Sequence, residues 1–137
     1  MEDFATIKDK EKLFYDIGFN TVRQTEKILN DNFYKCTEAS GDILMEDYQD
    51  RILVYYDIDN KVQKVYFKLI FKETEFAYKN LNAVLRNFVN VDINKKMIAT
   101  AMNNNGADYS DDEKNVILEY EVLSYNYKML KVEIERW

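Results

Sequence analysis

The sequence predicts an α+β protein with an antiparallel sheet of at least four strands and helices packed on one face. Two segments alternate between apolar and polar residues on both sides of a polar turn, which is typical of β-hairpins with one buried face. Two other regions repeat apolar residues at a spacing of three and four, which is typical of helices. The predicted element order is αα-ββ-αα-ββ, and hairpins favour antiparallel pairing.

Length and composition favour one domain covering residues 1–137. A chain of 137 residues can bury a sizeable core. Hydrophobic residues make up 47% of the chain, so the 32% of charged residues do not indicate disorder. The chain has no proline, and no glycine- or serine-rich stretch divides it.

The first third has helical spacing. Side chains that would share one helix face are Leu13, Phe14, Ile17, Val22, Thr25, Ile28 and Leu29. Gly18 favours a helix end, and Thr21 with Gln24 resembles a capping box. These features predict two helices, or one kinked helix over about residues 8–32. The segment 33–49 is ambiguous, since YKCTEAS fits a short strand and GDILMEDYQ fits a turn with a helical stub.

The segment RILVYYDIDNKVQKVYFKLIFK predicts the first hairpin, with strands over residues 52–58 and 65–71 and a turn near residues 59–61. Alternation in a stretch rich in Val, Tyr and Phe is the sequence pattern of a half-buried strand pair. The predicted buried face consists of Ile52, Val54, Tyr56, Ile58, Val65, Phe67, Leu69 and Phe71.

Helical spacing returns after Thr74, which can cap a helix over residues 75–89. The apolar stripe of this helix consists of Phe76, Ala77, Leu81, Val84, Leu85 and Phe88. Asn94 can cap a shorter helix, whose apolar residues are Met97, Ile98, Ala101 and Met102. Both helices are expected to pack on the sheet.

The segment NVILEYEVLSYNYKMLKVEIERW predicts the second hairpin, with strands over residues 116–122 and 130–135 and a turn near Asn126. The apolar face consists of Val116, Leu118, Tyr120, Val122, Leu130, Val132 and Ile134. This alternation leaves charged residues on the opposite face of both strands.

The stretch NNNGADYSDDEK, residues 103–114, partly matches a calcium-binding loop. Aligning Gly106 with the loop's glycine places Asn103 at a ligand position. The same alignment places Ala101 at the first ligand position and Asp112 at the last, where the motif has Asp and Glu. A strand pattern follows, whereas the motif requires a helix. We therefore expect a polar loop without metal, long enough to contact a partner.

The second hairpin carries an acidic face. With a turn centred near Asn126, Glu119 would lie opposite Glu133 and Glu121 opposite Lys131. Like charges that face each other destabilise a sheet, so folding does not require such a face. Its charges either keep a solvated face from pairing with other sheets or form a docking surface for a basic partner. The predicted partner-binding residues are Glu119, Glu121, Glu133, Glu135, Tyr109, Asp111 and Asp112.

The chain lacks the residues that several kinds of catalytic site require. The chain has no histidine, three glycines and one cysteine, Cys36. Histidine-dependent nucleophiles, histidine-ligated metals, paired-cysteine motifs and glycine-rich phosphate loops are therefore absent. We expect that the protein is not an enzyme and that it uses no cofactor and no metal. The alternative is an enzyme whose catalytic groups are carboxylates, lysine or tyrosine.

Net charge and the terminal sequence bear on partners and location. A charge of −6 argues against direct binding to nucleic acid. The amino-terminal MEDFATIKDK does not resemble a signal peptide, and no apolar run is long enough to span a membrane. The single Cys36 cannot form an internal disulfide, which fits a reducing compartment. We expect a cytoplasmic protein that does not bind membranes.

The function predicted from these observations is protein binding. Eleven tyrosines exceed what an alternating core needs, and tyrosine is enriched in interfaces. An acidic, tyrosine-rich module suits an inhibitor of a basic protein, including one that binds nucleic acid. Bacterial immunity proteins and phage-encoded inhibitors are classes of this kind. The alternative is a secretion-type chaperone, which needs an apolar groove and usually a homodimer.

Overall fold

The computed structural model describes residues 3–29 and 32–137, and these residues form a seven-stranded antiparallel sheet with three α-helices. The helices are α1 (Lys10–Asp16), α2 (Thr74–Leu85) and α3 (Lys95–Asn104). The strands are β1 (Thr21–Leu29), β2 (Asn32–Ser40), β3 (Arg51–Tyr56), β4 (Val62–Phe71), β5 (Gly106–Ser110), β6 (Lys114–Val122) and β7 (Lys128–Arg136). The α+β class and the antiparallel sheet are confirmed.

The strands lie in the order β1-β2-β3-β4-β7-β6-β5. The first four strands follow one another as neighbours. The chain then crosses through α2 and α3 to the far edge, where β5 lies, and returns through β6 to place β7 beside β4. The edges of the sheet are therefore β1 and β5. The predicted order αα-ββ-αα-ββ is wrong, because one helix precedes the first strands and three strands follow α3.

Alternate strand residues form one core with the buried residues of the helices. Strand members of this core include Ile52, Val54, Val65, Phe67, Leu118 and Val132, each at most 1% exposed. The predicted packing of the helices on one face is only partly right. Helix α2 contacts the central β4, whereas α1 contacts the edge strand β1 and α3 contacts β5 and β6 at the other edge. We call the strand residues that alternate with the core the outer face.

The prediction of helices over the first third is mostly wrong. Only Lys10–Asp16 is helical, with the carboxylate of Asp9 accepting the backbone N–H of Lys12 at 2.9 Å. Thr21 begins strand β1 instead of capping a helix, and no kinked helix runs over residues 8–29. The strand predicted from YKCTEAS is confirmed within β2, and a 3-10 turn at Met45–Asp47 corresponds to the predicted helical stub.

Both predicted hairpins are confirmed, as β3–β4 and β6–β7. Three apolar residues assigned to buried faces are instead exposed. Ile58 is 89% exposed because it lies in the β3–β4 turn, Val122 is 66% exposed at the end of β6, and Phe76 is 51% exposed in the first turn of α2. Helix α2 is shorter than predicted. The predicted cap at Thr74 is wrong, because Thr74 is the first helical residue and Glu73 holds the cap position. The predicted cap of α3 is confirmed, because the Asn94 side chain accepts the N–H of Met97 at 2.9 Å.

The polar loop predicted over residues 103–115 is wrong in its larger part. Its first residues complete α3, which ends at Asn105 in a left-handed conformation (φ 61°). Strand β5 follows and pairs with β6. Gly106 begins this strand, and a Cβ there would lie 2.9 Å from the carbonyl oxygen of Leu118. The segment is therefore an edge strand between a helix and a turn, which is not the geometry of a calcium-binding loop.

The amino-terminal segment crosses one end of the sheet. The N–H of Ala5 donates to the carbonyl of Phe88 at 2.9 Å, and the carbonyl of Ala5 accepts the N–H of Val62 at 2.8 Å. Phe4 and Ile7 are buried in the core. These contacts tie the start of β4 to the segment after α2. In the part of the chain that the structure describes, no helix is long and apolar enough to cross a membrane.

Candidate functional site

A groove of about 500 Å³ lies at the end of the sheet where β4 ends and β7 begins. Four segments contribute to it: Gly18 shortly after α1, the loop between β2 and β3, the end of β4 with its connection into α2, and the β6–β7 turn. We call it the end groove. The side chains in its lining that matter most are Leu44, Asp50, Ile70, Lys72, Phe76 and Tyr127.

Exposed apolar side chains are concentrated at this end of the molecule. Of the eight large apolar side chains that are exposed among the described residues, five belong to the segments around the groove. They are Ile43 (65%), Leu44 (39%), Phe76 (51%), Val122 (66%) and Tyr125 (57%). Scattered exposed apolar residues are normal, but a cluster at a concave surface indicates an interaction site.

Side-chain contacts hold the loops of the groove against one another. The rings of Tyr48 and Tyr127 meet edge to face with centroids 6.2 Å apart. The hydroxyl oxygen of Tyr48 accepts the backbone N–H of Ser124 at 3.3 Å. The ammonium of Lys72 lies 4.7 Å from the centroid of Tyr127, and Lys128 donates to the carbonyl of Lys72 at 2.9 Å. These contacts fix the positions of the groove loops relative to one another.

Two turns beside the groove contain residues in the left-handed region of backbone conformation. Glu46 and Asp47 have φ values of 56° and 63°, and Tyr125 and Asn126 have values of 58° and 65°. Asn and Asp adopt this conformation readily, whereas a bulky residue such as Tyr125 rarely does. Strained residues cluster at functional sites, and here the strain presents an exposed aromatic ring.

The lining of the groove is acidic. It contains the carboxylates of Asp42, Asp50 and Glu73 and the ammonium of Lys72. Burial raises the pKa of Asp50, an effect opposed by the N–H of Ile70, which donates to this carboxylate at 2.8 Å. Three carboxylates against one ammonium give the groove a negative potential that favours basic ligands.

The acidic face predicted on the second hairpin has a different register from the one expected. Glu119 lies opposite Lys131 and Glu133 lies opposite Ile117 in β6, so the predicted pairing of Glu119 with Glu133 is wrong. Glu121 lies opposite Met129. The turn is centred one residue earlier than predicted, which shifts the pairing by two residues and leaves each side chain on its predicted face.

Basic residues are interspersed with these acids on the outer face. Glu133 forms an ion pair with Lys64 of β4 at 2.6 Å, and Glu135 lies opposite the same lysine. Lys68 and Lys131 face each other beside them, and burial followed by the charges of neighbouring Arg51 and Lys131 lowers the pKa of Lys68. The outer face is therefore a mixed-charge surface.

The other predicted contact residues lie on or beside β5. Tyr109 is half-buried against the core, and Asp112 is exposed in the turn before β6. Asp111 accepts the ammonium of Lys114 at 2.9 Å, and Asp3 accepts the same ammonium at 2.7 Å. Lys114 is 7% exposed, and its two carboxylate partners neutralise it, which is the arrangement expected of a structural ion pair.

None of the seven predicted contact residues lines the end groove. Sequence patterns missed the groove because its residues come from four short segments, three of which are turns or connections. One available signal was the Ile43–Leu44 pair within a stretch that has neither helical nor strand periodicity. The single cysteine, Cys36, is buried at 1% exposure.

Within residues 3–29 and 32–137, no group of three or more Cys, Asp or Glu side chains is arranged to hold a metal ion. Comparison of the chain with protein-family models, curated proteins and solved structures finds no match. The groove's geometry and charge are therefore the features that bear on function.

Proposed function

We propose that the chain is a protein-binding module whose end groove receives an apolar segment of a partner, flanked by Lys or Arg. The observation that supports this proposal is that two exposed apolar side chains, Leu44 and Phe76, line an acidic groove, with three more exposed apolar residues in the segments beside it. Apolar anchors buried in a pocket supply most of the free energy of binding in protein interfaces. Carboxylates around them favour a basic partner and speed its association.

The contacts between the loops support the same proposal. Ordering flexible loops on binding reduces affinity, because conformational entropy is lost. The ring contact of Tyr48 with Tyr127 and the hydrogen bond from Ser124 hold the groove loops in place beforehand. Binding of a partner in the groove therefore costs less conformational entropy.

The proposed action of this module is inhibition. An acidic protein that covers the basic surface of a second protein blocks that surface, which is how an immunity-type protein would neutralise a basic or nucleic-acid-binding target in the cytoplasm. The acids of the outer face, Glu119, Glu121, Glu133 and Glu135, stay a prediction as additional contacts. Their interspersed lysines make them weaker attractants for a basic partner than the groove.

A secretion-type chaperone is the second candidate, favoured by the apolar character of the groove. It differs from an inhibitor in the state of its partner, which it binds unfolded. Hydrogen exchange of a captured partner distinguishes the two, because an inhibitor leaves the partner's amides protected and a chaperone leaves them exchanging. A carboxylate-based enzyme is the weakest candidate. The carboxylate of Asp50 is held by a backbone N–H, which is a structural role.

The proposal is tested with two synthetic peptides that share a Leu-Phe anchor and differ in their flanks, three lysines in one and three glutamates in the other. Each is titrated into ¹⁵N-labelled protein and followed by NMR. We expect the lysine-flanked peptide to shift the amide signals of residues 41–50, 72–76 and 123–128. We expect the glutamate-flanked peptide to cause small shifts or none.

Two results would contradict the proposal. Shifts confined to the outer-face strands would move the binding site away from the groove. Equal shifts with both peptides would show that the carboxylates of Asp42, Asp50 and Glu73 do not select the partner's charge. The same titration at raised salt provides a control, since attraction to an acidic groove weakens with screening.

A further inference from the structure

A second cavity, of about 270 Å³, lies between the start of α1 and strands β1 and β2. It is at the opposite end of β4 from the end groove, beside the β3–β4 turn. Its lining consists of Lys10, Gln24, Thr25, Lys35, Cys36 and Thr37. The volume is several times the roughly 30 Å³ that a water molecule occupies in the liquid. The space is therefore large enough for a small polyatomic ligand.

Two lysines give this cavity a positive charge. Lys10 donates to the side-chain oxygen of Asn60 at 2.5 Å, and its ammonium lies 5.0 Å from the ring centroid of Tyr56. Burial lowers the pKa of Lys10, and the nearby charge of Lys35 lowers it further. Neither lysine belongs to an ion pair among the described residues, although the chain has a net charge of −6.

The buried Lys114 provides the contrast. Its ammonium has two carboxylates within 2.9 Å, so its charge is neutralised inside the protein. Lys10 is half-buried and Lys35 is exposed, and the two ammonium groups are close enough to repel each other. An anion from outside the chain is the other way of balancing two neighbouring cations.

Two buried hydroxyl groups, those of Thr37 and Tyr56, lie close to each other and adjoin the lysines. The side chains of Thr37 and Tyr56 are 1% and 0% exposed, and neither hydroxyl has a hydrogen-bond partner of normal geometry among the described residues. Burial raises the pKa of Tyr56, and the neighbouring Thr37 hydroxyl opposes this effect only in part. The phenol therefore stays protonated and can donate a hydrogen bond. Buried polar groups are normally paired, and an unpaired one indicates an unseen ligand or water.

We propose that this cavity binds a small tetrahedral oxyanion, of the phosphate or sulfate class. Lys10 and Lys35 supply the charge, and the hydroxyl of Thr37 donates a hydrogen bond from the cavity wall. A tetrahedral oxyanion presents several acceptor oxygens to these donors. The proposal is independent of the end groove and of the function proposed for it.

The experiment measures the melting temperature of the whole protein at rising concentrations of inorganic phosphate and of sulfate. Potassium chloride at equal ionic strength serves as the reference, because a ligand of the native state raises the melting temperature saturably and general screening does not. Adenosine monophosphate is added in a parallel series. Tighter binding of the nucleotide than of inorganic phosphate would indicate that the anion is part of a larger molecule, and equal binding would indicate a free anion.

Three variants locate the effect. Lys10→Met keeps the apolar stem over Tyr56 and removes the charge, and Thr37→Val removes the hydroxyl at nearly constant volume. Lys96→Met, at an exposed lysine of α3, is the matched control for loss of one positive charge. We expect the Kd for the better anion to rise at least tenfold in the first two variants and to stay within twofold of wild type in the third.

Thr37→Val also keeps the test decisive if Lys10→Met fails to fold. Removing a buried hydroxyl that has no hydrogen-bond partner of normal geometry should change the melting temperature of the free protein little, so this variant is expected to fold. A saturable shift with phosphate or sulfate that disappears in Thr37→Val supports the proposal. No shift beyond that of potassium chloride, or the same shift in all three variants, would overturn it.

Discussion

Replacing Lys114 with methionine tests how the amino-terminal segment is attached to the sheet. The substitution keeps most of the buried stem and removes the ammonium that bridges Asp3 and Asp111. A hydrogen bond to a charged group contributes roughly 1.5–3 kcal/mol to stability. The side chains of Asp3 and Asp111 are 22% and 54% exposed, so water replaces part of each lost bond. We therefore expect the free energy of unfolding to fall by about 1–2 kcal/mol, or about 4–8 °C in melting temperature.

The pH dependence of this loss has a definite sign. Burial lowers the pKa of Lys114, but its hydrogen bonds to Asp3 and Asp111 outweigh burial and raise it above the ordinary value of 10.5. The contribution is therefore complete below pH 10.5 and is lost as the pH rises through the folded-state pKa. The hydrogen bond from Lys114 lowers the pKa of Asp111 below 3.8, so its contribution is complete above that pH and is lost as the pH falls.

Urea unfolding of wild type and Lys114→Met across this pH range checks both statements. The difference between the two proteins should be constant near neutral pH and should shrink at both extremes. Asp3→Asn should cost more than Asp111→Asn, because Asp3 is the less exposed partner. A difference below about 0.5 kcal/mol at neutral pH, or a larger cost at Asp111, would refute the reasoning.

Three further changes have expected outcomes in the same unfolding assay. Asn82→Ala should cost about 2–4 kcal/mol, because the buried amide of Asn82 accepts the N–H of Ile93 at 2.8 Å and donates to its carbonyl at 2.9 Å; a loss under about 1 kcal/mol would contradict this. Gly106→Ala should lower the free energy of unfolding by about 1–3 kcal/mol, because the added Cβ pushes against the backbone of β6. Gly41→Ala is the control and should be neutral, because its added Cβ would lie 3.6 Å from the nearest atom. Equal effects of the two substitutions would contradict a clash at Gly106. Changing Glu119 and Glu133 together to Gln should lower the free energy of unfolding by about 0.5–1 kcal/mol, because each faces or pairs with a lysine. A gain in stability would instead support the pairing of Glu119 with Glu133 that the sequence predicted.

The sequence patterns predicted the central strands well because each has one buried face. In β3, β4, β6 and β7 the apolar residues alternate along most of the strand, and the structure buries them as expected. The helices α2 and α3 were found for the same reason, since their apolar stripes face the core. The spacing of apolar residues reflects which side chains are buried, so it is clear wherever only one face of a strand or helix is buried.

The edge strands were missed because burial leaves little pattern there. In β1, Val22 is half-buried and Arg23, Gln24 and Thr25 are exposed, so alternation is not expressed. Its spacing of apolar residues happened to fit a helix. The β-branched residues of TVRQTEKI were the contrary signal, since such side chains favour strands. Strand β5 has five residues, too few to show a period.

The candidate site was beyond the reach of sequence patterns for a related reason. Which apolar residues stay exposed depends on where strands and helices end, as Phe76 and Val122 show. The register of the second hairpin depended on one residue in the position of its turn. The left-handed pair Tyr125–Asn126 centres that turn, and tyrosine is an unusual residue for such a position.

The affinity of the Phe76→Ser variant for the lysine-flanked peptide tests the central claim most directly. Phe76 is 51% exposed, and a fully buried phenylalanine covers roughly 150–250 Å², so about 100 Å² remains for a partner to cover. At about 25 cal/mol per Å² this corresponds to about 2.5 kcal/mol, or about a 70-fold increase in Kd. The matched control is Ile58→Ser, which removes an apolar side chain that is 89% exposed at the opposite end of β4. We expect a rise in Kd of this size for Phe76→Ser and a change within about twofold for Ile58→Ser; equal Kd values for the two variants, measured by fluorescence anisotropy, would contradict binding in the end groove.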